Sequence, residues 1–362
     1  MPHTMRAAVY HGARDIRVED VPVPTPGPGE ALIRVLRSGI CGTDAAEWVA
    51  GPKVFPVERR HPNSGHLGPL ISGHEFVGEI VETDPTSRLR AGDLVASGAG
   101  VWCGQCRRCG EGRTNQCVRY KTLGLNVNGG MAEFVAAPSK ALRVLPEGMS
   151  VDHAGLAQPL AVGIHAARRS GAHDGDSVVV IGAGAIGSFV LAGLKHLGKL
   201  NVIVVDFPGK RLDRASRLGA DRTLAPSESL AADVVDALGG SRPDVVIEAS
   251  GAPGQLAAAL QLVTDGGRVL AVGVPKEKPA LDLHSMVFRE VTLDTTLAHV
   301  CDTDLPAALR ILAGGTLGGE FAEAPVGLEQ LGESLDRLAG GQIEGKVLID
   351  PGLRAEHRIE GR

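Results

Sequence analysis

Residues 177–187 read SVVVIGAGAIG, and this stretch decides the fold of the middle of the chain. Its apolar run predicts a buried β-strand that passes through a glycine turn into a helix. In such a turn Gly182 permits the tight bend, Gly184 lets the backbone approach a pyrophosphate, and Gly187 lets the helix pack closely on the strand. The N–H groups at the start of the helix then favour phosphate. The stretch therefore predicts a dinucleotide-binding βαβ unit.

Residues beside the glycine turn indicate which dinucleotide is bound. Ala185 and Ile186 complete the motif, and Asp206 follows the next predicted strand. A carboxylate there can accept hydrogen bonds from both ribose hydroxyls of an adenosine and would repel a 2′-phosphate, which favours NAD over NADP. The cations Lys210 and Arg211 lie nearby and keep NADP open, and Arg211 is expected to contact the cofactor. A dinucleotide fold that no longer binds its ligand is the structural alternative.

Strands and helices alternate along the segment that contains this motif, from residue 154 to residue 297. The predicted helices are 154–170, 186–197, 210–218 and 254–263, and the predicted strands are 177–181, 202–205, 245–249 and 269–274. This rhythm predicts an α/β domain built on a doubly wound parallel sheet.

The flanking segments have a different pattern. Short strands broken by turns are predicted at 5–10, 16–18, 31–38, 74–82, 94–96 and 133–137. Residues 48–72 contain four prolines and three glycines, which predicts a long loop or lid. From about residue 298 the chain is expected to return to the first domain and to end in a strand at 346–349. The predicted domains are thus 1–153, 154–297 and 298–362.

Four cysteines in the first domain have the spacing of a metal site. Cys103, Cys106, Cys109 and Cys117 follow the pattern C-x2-C-x2-C-x7-C within a lobe at about residues 100–120. Four thiolates close a tetrahedral zinc site and leave no position for substrate, so the lobe predicts a structural zinc. Two disulfides are the alternative, but gaps of two residues suit one metal better.

A second group of metal-binding residue types precedes the lobe. Cys41 lies in the sequence SGICGTD, and His74 with Glu75 lies in GHE. A zinc with fewer protein ligands keeps a position for water or substrate, which is the arrangement of a catalytic site. Asp44 could accept a hydrogen bond from the far ring nitrogen of His74, and Glu75 could ligate the metal directly. If each residue is considered alone, the alternative to metal binding is a buried thiol for Cys41 and a core histidine for His74.

Composition and charge exclude several function classes. The chain has 362 residues, 43% of them hydrophobic, and a net charge of −5, which argues against binding to nucleic acid or to an anionic membrane surface. It contains no apolar run of about 18 residues and no apolar segment typical of a secretion signal, so we expect a cytoplasmic protein. The six cysteines fit a reducing compartment. Residues 359–362 match a protease-cleavage linker and carry no structural weight.

These motifs together resemble the zinc-dependent medium-chain dehydrogenases of the alcohol and sorbitol type. The likeness extends over nearly the whole chain. It is carried by CGTD at 41–44, GHE at 73–75, the four-cysteine lobe, QPLAV at 158–162, the glycine fingerprint and GKV at 345–347. Within that family the chain is most similar to the (R,R)-butanediol dehydrogenases, because a long segment with Gly51-Pro52 and His61-Pro62 precedes GHE.

The resemblance implies a GroES-like β-barrel catalytic domain and a Rossmann NAD-binding domain, with the active site between them, in a homodimer or homotetramer. It implies two zinc ions per chain, one catalytic and one structural, and a bound NAD that Lys346 helps to hold. The implied reaction is oxidation of a secondary alcohol, a vicinal diol, to a ketone. Thr43 would take the hydroxyl proton, unless its hydroxyl only caps a turn. A sorbitol-type or threonine-type dehydrogenase is the runner-up, and an inactive NAD-binding scaffold is the remote alternative.

Two departures from the family pattern bear on the catalytic zinc. Gln158 stands where these enzymes carry a glutamate that ligates zinc or holds its water, and glutamine is a neutral and poorer ligand. We therefore favour Glu75 as the third ligand and keep Gln158 as the alternative. Ala46 stands near the place of a proton-carrying histidine in several relatives, so another group would have to carry the proton. The candidates are Glu47, His61, His66 and bulk water.

Overall fold

The computed structural model describes residues 2–275, 277–321 and 323–354, and the linker match at 359–362 lies outside them. Contacts divide the chain into two compact units. The first combines Met1–Gln158 with Phe321–Arg362, and the second is Pro159–Glu320. The first unit is therefore built from two separate segments of chain, and the second unit is inserted between them.

Strands dominate the N-terminal segment of the first unit. They are β1 (Thr4–Gly12), β2 (Asp15–Pro22), β3 (Glu30–Gly39), β4 (Leu70–Ile71), β5 (Glu75–Thr83), β6 (Leu94–Ser97), β7 (Gly100–Val101), β8 (Lys121–Thr122), β9 (Phe134–Pro138) and β10 (Leu142–Val144). The helices of this segment are α1 (Gly42–Ala50), α2 (Arg107–Gly110) and α3 (Val151–Ala154).

Helices and strands alternate in the second unit, whose chain enters through α4 (Ala157–Arg169). The strands are β11 (Ser177–Ile181), β12 (Asn201–Val205), β13 (Arg222–Leu224), β14 (Val245–Glu248), β15 (Arg268–Ala271) and β16 (Thr292–Thr295). The helices that follow α4 are α5 (Ala185–Leu197), α6 (Lys210–Arg217), α7 (Leu230–Ala237), α8 (Gln255–Leu262), α9 (Leu283–Phe288), α10 (Cys301–Ala313) and α11 (Thr316–Phe321). The chain ends with α12 (Leu331–Ala339) and β17 (Leu348–Ile349) in the first unit.

The strands of the first unit pair in antiparallel sheets. The larger sheet has the order β10-β6-β5-β3-β17, with β9 also paired to β3, and the smaller has the order β2-β1-β4. Apolar side chains from β1, β4 and β17 pack with residues of α1 and α12 in one core cluster. Because β17 pairs with the end of β3, the last segment of the chain lies directly beside the start of α1.

The six strands of the second unit form one parallel sheet in the order β13-β12-β11-β14-β15-β16. Numbered within the unit, this is the order 3-2-1-4-5-6, in which ligands bind where the strand order reverses, at the carboxyl end of the first strand. In β11, Val178 and Val180 join one core cluster and Val179 and Ile181 join another. Successive side chains of a strand face opposite sides, so this sheet is buried on both faces. The predicted fold class, an all-β domain with a doubly wound α/β domain, is confirmed.

The second unit extends further along the chain than the sequence predicted. We expected the return to the first domain at residue 298, but the division by contacts falls at Phe321. The buried carboxylate of Asp304 in α10 explains the difference. It lies 3.0 Å from His165 Nδ1 and 3.1 Å from Arg168 Nη1, both in α4. Helix α10 is thereby held to the second unit.

The predicted loop at 48–72 also differs in part from the structure. Its first three residues belong to α1, and Leu70–Ile71 forms β4, so the irregular segment runs from 51 to 69. Helix α1 itself was not predicted, because glycine and threonine at its start have weak helix propensity. Among the described residues, no helix combines the length and the apolar character needed to cross a bilayer.

Candidate active site and cofactor site

The predicted metal ligand Cys41 is the N-cap residue of α1. Its backbone is extended, with φ −120° and ψ 160°, and its N–H donates to Asp44 Oδ2 at 2.9 Å. A carboxylate at the third position of a helix that accepts from the N-cap N–H is half of a capping box. The cap therefore fixes the backbone from which the Cys41 thiol projects. The structure assigns capping to Cys41 and Asp44 rather than to Thr43, which lies half-buried in the first turn.

His74 enters the same site from the turn before β5. Gly73 has φ +94°, and a Cβ built there would lie 2.7 Å from Met131 Cγ and from Ser38 Oγ, so only glycine fits before this histidine. The side chain of His74 is buried, and its Nδ1 lies 3.8 Å from Asp44 Oδ1. The ligand atoms of Cys41, His74 and Glu75 all lie within 4.8 Å of one another. Residues predicted from two separate motifs, CGTD and GHE, are thus brought together.

The charges around this cluster favour a cation. Burial alone would lower the pKa of His74, but the nearby Asp44, Cys41 and Glu75 raise it to about 10. Burial raises the pKa of Asp44 above its ordinary value. His74 Nδ1 and Asp44 Oδ1 have no hydrogen-bond partner among the described residues. A thiol, an imidazole and a carboxylate with unpartnered buried atoms beside them fit a zinc ion, since zinc takes all three ligand types.

Lys346 lies in this cluster. Its ammonium is buried and donates to the Ile40 carbonyl at 2.6 Å and to Glu75 Oε1 at 2.8 Å. Burial acts to lower the pKa of Lys346, but the charges of Glu75 and Cys41 outweigh it and raise that pKa. The resemblance assigned Lys346 to the cofactor, whereas its contacts here lie among the predicted metal ligands. Gln158, the alternative third ligand, lies half-buried in the first turn of α4.

The three side chains considered for proton transfer have other partners. The carboxylate of Glu47 is buried and accepts the backbone N–H groups of Lys53 at 2.9 Å and Val54 at 2.6 Å. His66 Nε2 lies 3.1 Å from the Pro69 carbonyl. His61 Nδ1 lies 3.1 Å from the hydroxyl of Ser64. Glu47 therefore anchors the loop that follows α1, a role that the sequence alone did not reveal.

The four-cysteine lobe has the dimensions of a tetrahedral metal site. The Sγ atoms lie 4.0 Å apart for Cys103 and Cys109, 3.6 Å for Cys106 and Cys109, and 3.9 Å for Cys106 and Cys117. A zinc–sulfur bond of about 2.3 Å sets the sulfurs of a tetrahedron about 3.8 Å apart. A disulfide would need about 2.05 Å, and none of the six cysteines forms a disulfide. The residues present therefore fit a structural zinc and not two disulfides.

Backbone and side-chain donors in the lobe favour thiolates. The N–H of Gln105, 3.4 Å from Cys103 Sγ, is the largest cause that lowers the pKa of Cys103 to about 5, and the N–H of Cys106 adds to it. Burial and the neighbouring sulfurs raise the pKa of Cys109 to about 12, so the four thiols need a cation to ionise together. Arg119 lies near the sulfurs and contributes to the lowered pKa of Cys103.

The glycine turn between β11 and α5 has the geometry of a phosphate site. Gly182 has φ +101°, which glycine adopts without strain, and a Cβ at Gly187 would lie 1.8 Å from the Gly182 carbonyl oxygen. A Cβ at Gly184, the N-cap of α5, would meet no protein atom within 4 Å. The open space at the start of a 13-residue helix lies where the strand order reverses. This cradle, which a side chain would fill, fits the pyrophosphate of a dinucleotide.

Asp206 lies beside the same turn. One carboxylate oxygen accepts the N–H of Ala183 at 2.6 Å, and the other accepts the N–H of Phe207 at 2.7 Å. The side chain is thus held at the carboxyl end of β12, next to the glycine turn, where the sequence predicted a ribose-binding carboxylate. Arg211 lies half-buried in the first turn of α6, and the neighbouring Arg214 is buried, with its guanidinium 3.5 Å from the Ala183 carbonyl.

Two glycine substitutions separate cofactor binding from folding. Gly184→Ala should lower the melting temperature little, at a cost of at most about 1 kcal/mol, but weaken NADH binding tenfold or more because the methyl group enters the phosphate cradle. Gly187→Ala should destabilise the fold by about 1–3 kcal/mol because its Cβ meets the Gly182 carbonyl. NADH fluorescence titration and thermal unfolding measure the two effects. Unchanged NADH affinity in Gly184→Ala would place the cofactor elsewhere.

Two family models match the chain. The alcohol dehydrogenase GroES-like domain matches residues 27–147, and the zinc-binding dehydrogenase model matches residues 185–314. The first match contains both groups of predicted metal ligands apart from Gln158. The second begins at the helix that follows the glycine turn.

Relatives match over nearly the full chain. The sequence is 34% identical over 361 residues to erythritol/L-threitol dehydrogenase of Mycolicibacterium smegmatis, with 97% of this chain and 99% of that protein covered. It is 30% identical to sorbitol dehydrogenase of Bacillus subtilis, with 97% and 98% covered. The crystal structure of 2R,3R-butanediol dehydrogenase from Bacillus subtilis matches with a TM-score of 0.87 and 29% identity, over 96% of this chain and 100% of that one. The resemblance to zinc-dependent medium-chain dehydrogenases is confirmed, and the chain belongs to the zinc-dependent alcohol dehydrogenase family, whose members are nicotinamide-dependent oxidoreductases.

Proposed function

We propose that this enzyme oxidises a secondary alcohol, a vicinal diol or short polyol, to the corresponding ketone or hydroxyketone with NAD⁺. The observation that carries the proposal is the buried group of Cys41, His74 and Glu75, whose ligand atoms lie within 4.8 Å of one another. Three protein ligands of these types are typical of a zinc site that keeps a position for substrate. The four-cysteine lobe, with its closed ligand set, is proposed to hold the second, structural zinc.

Each residue around the open site has a proposed task. When bound, zinc supplies a Lewis acid for the substrate hydroxyl, and the nicotinamide ring supplies the hydride acceptor. Cys41, His74 and Glu75 hold the metal. Asp44 orients two of these ligands at once, because it caps the helix at the Cys41 N–H and lies 3.8 Å from His74 Nδ1. Thr43, half-buried two residues after Cys41, accepts the proton of the substrate hydroxyl and releases its own hydroxyl proton toward solvent.

The charge balance favours Glu75 over Gln158 as the third ligand. Among the groups that bind the metal directly, a thiolate from Cys41, a neutral His74 and the Glu75 carboxylate together neutralise Zn²⁺. With Gln158 as the third ligand instead, the directly bound groups leave one positive charge. The buried ions beside the ligands, Asp44 and Lys346, carry opposite charges and leave this balance unchanged. The Lys346 ammonium holds Glu75 in the cluster at 2.8 Å. Gln158 is then proposed to hydrogen-bond within the site instead of binding metal.

The polyol and diol dehydrogenases among the relatives share one substrate feature, which supports the proposed substrate class, whereas the L-threonine 3-dehydrogenases among them support the threonine-type alternative. Erythritol, threitol and sorbitol are polyols with adjacent hydroxyl groups, and 2,3-butanediol is the simplest vicinal secondary diol. The carboxylate of Asp206 beside the glycine turn supports NAD over NADP, because it would repel a 2′-phosphate. We also propose that the enzyme is a homodimer or homotetramer in the cytoplasm. None of its six cysteines forms a disulfide, which agrees with a reducing compartment.

The proposal is tested by measuring NADH formation with four matched alcohols, together with zinc content per chain. We expect turnover with 2,3-butanediol and threitol, much slower turnover with 1,3-butanediol, and little with 2-butanol, because only the first two present adjacent hydroxyls. The equivalent reaction with NADP⁺ should be slower. Equal rates with all alcohols would contradict the vicinal-diol preference. No turnover with any of them and one zinc per chain would favour an inactive NAD-binding scaffold.

A further inference from the structure

The loop that follows α1 forms the wall of a partly open surface cavity, whose charged lining side chains are exposed and include none of the predicted metal ligands. The cavity has a volume of about 710 Å³, and residues between Pro52 and Pro62 line it. Three of the lining side chains are cations, Lys53, Arg59 and Arg60, and one is a carboxylate, Glu58. The cavity therefore has a local excess of positive charge, in a chain whose net charge is −5.

The three cations lack the ion pairs that most other arginines of this unit form. Arg34, for example, pairs with Glu79, and Arg37 pairs with Asp152 and Asp350. Among the described residues, no carboxylate lies within 4.0 Å of the Lys53 ammonium or of the Arg59 and Arg60 guanidinium groups.

Arg60 Nη1 donates to the Gly65 carbonyl at 2.5 Å, which uses one of its five donors. His61 N–H donates to the His66 carbonyl at 2.9 Å, and Gly65 N–H donates to the His61 carbonyl at 2.9 Å. These bonds close the far end of the loop. Like charges that gather round a concave surface without partners repel one another, and an anion relieves the repulsion.

The near end of the loop is fixed in place. The buried Glu47 carboxylate accepts the N–H groups of Lys53 and Val54. The ring of Phe55 packs edge-on against Tyr10, with the ring centroids 4.9 Å apart. A cavity whose wall is held from both ends loses little conformational entropy when a ligand binds, which favours specific binding over loose counterion attraction.

We propose that this cavity binds the phosphate-monoester group of a small molecule. A phosphate monoester carries close to two negative charges near neutral pH, which matches three cations and one carboxylate. Two guanidinium groups can bind its oxygens with paired N–H donors, and the ammonium adds a point charge. A concave site of this size suits a small ligand, whereas the overall negative charge opposes a nucleic acid.

Two kinds of ligand carry a phosphate-monoester group, and binding of either can be measured without turnover. One is a phosphorylated polyol that serves as substrate, which would deepen the proposed function because the loop leaves the helix that begins at Cys41. The other is a phosphorylated effector that binds beside the reaction. Competition with an unphosphorylated diol distinguishes the two.

The test is equilibrium binding to the zinc-loaded, full-length enzyme by titration calorimetry, with glycerol 3-phosphate and glycerol as a matched pair. We expect glycerol 3-phosphate to bind at least about tenfold more tightly than glycerol, and the difference to shrink with added salt. The double variant Lys53→Ala/Arg59→Ala should weaken glycerol 3-phosphate by about tenfold or more. Arg88→Ala removes one exposed cation of the same unit and should leave binding unchanged.

The outcomes separate this inference from the proposed function. Equal binding of glycerol 3-phosphate and glycerol, or an equal loss in Arg88→Ala, overturns the phosphate site whether or not diols are oxidised. Loss only in the double variant, with an unchanged melting temperature, supports it even if no diol is turned over. Where 2,3-butanediol is turned over, its competition with glycerol 3-phosphate assigns the phosphate to a substrate, and binding without competition assigns it to an effector.

Discussion

Replacing Cys41 with serine is expected to reduce NADH formation on the order of a thousandfold or more and to lower zinc content from two ions per chain to one. The hydroxyl of serine stays protonated near neutral pH and is a far weaker zinc ligand than a thiolate. Losing the metal removes several kcal/mol of transition-state stabilisation. Stability should change little, because the cap of α1 depends on the Cys41 backbone N–H and Asp44, which the substitution keeps. Rate, zinc content and melting temperature are measured on the same preparation.

Cys301→Ser is the matched control for this variant. Cys301 is a buried thiol at the start of α10 in the second unit, outside both groups of predicted ligands. Its replacement makes the same chemical change and should leave two zinc ions per chain, with at most a loss of stability. If Cys41→Ser keeps both zinc ions and full turnover, Cys41 is not a ligand and the proposed catalytic site is wrong.

Replacing Cys106 with serine should act on stability first. The lobe at about 100–120 contains only short elements, which are α2, a 3-10 turn at Thr114–Gln116 and the two-residue strand β7, so few apolar contacts hold it without a metal. Three thiolates bind zinc much more weakly than four, and loss of several kcal/mol should lower the melting temperature by roughly 10 °C or more. Differential scanning calorimetry and zinc content measure the change. Limited proteolysis should cleave the variant within the lobe.

Turnover measurements distinguish the loss of stability in Cys106→Ser from damage to the proposed catalytic site. Below the melting temperature, the folded fraction of Cys106→Ser should still bind NADH and keep much of its turnover, since the four sulfurs leave no position for substrate. An unchanged melting temperature with zinc still bound would falsify the structural role of the lobe. A loss of turnover without any loss of stability would give these cysteines a part in the chemistry.

The sequence predicted those features of the molecule that depend on local patterns. The strand and glycine turn at 177–187 depend on apolar runs and on the freedom of glycine, and the structure contains both. The two groups of metal-binding residues depend on spacing and on residue type, and each group is brought together. Whether Glu75 or Gln158 ligates the metal stays a prediction.

Features that depend on distant parts of the chain were not predicted. Nothing in GHE or GKV indicates that the Lys346 ammonium lies 2.8 Å from Glu75. The lobe cysteines have three arginines close to them in sequence, Arg107, Arg108 and Arg113, yet in the structure these three approach Glu111. The cation that lies near the sulfurs is Arg119. The anchoring role of Glu47 depends on how the chain folds back after α1. A local sequence motif carries no information on which distant residue its side chains will contact.

The two-segment construction of the first unit has a consequence for biosynthesis. The four lobe cysteines emerge from the ribosome within a short stretch, so their zinc can bind early. Glu75 and Lys346 are 271 residues apart, and the whole second unit is made between them. At about 5–20 residues per second, that interval is roughly 15–50 s. A nascent chain can therefore bind the proposed structural metal while the site around Cys41 still lacks its buried counter-charge, and the proposed catalytic site forms only after Lys346 has been made.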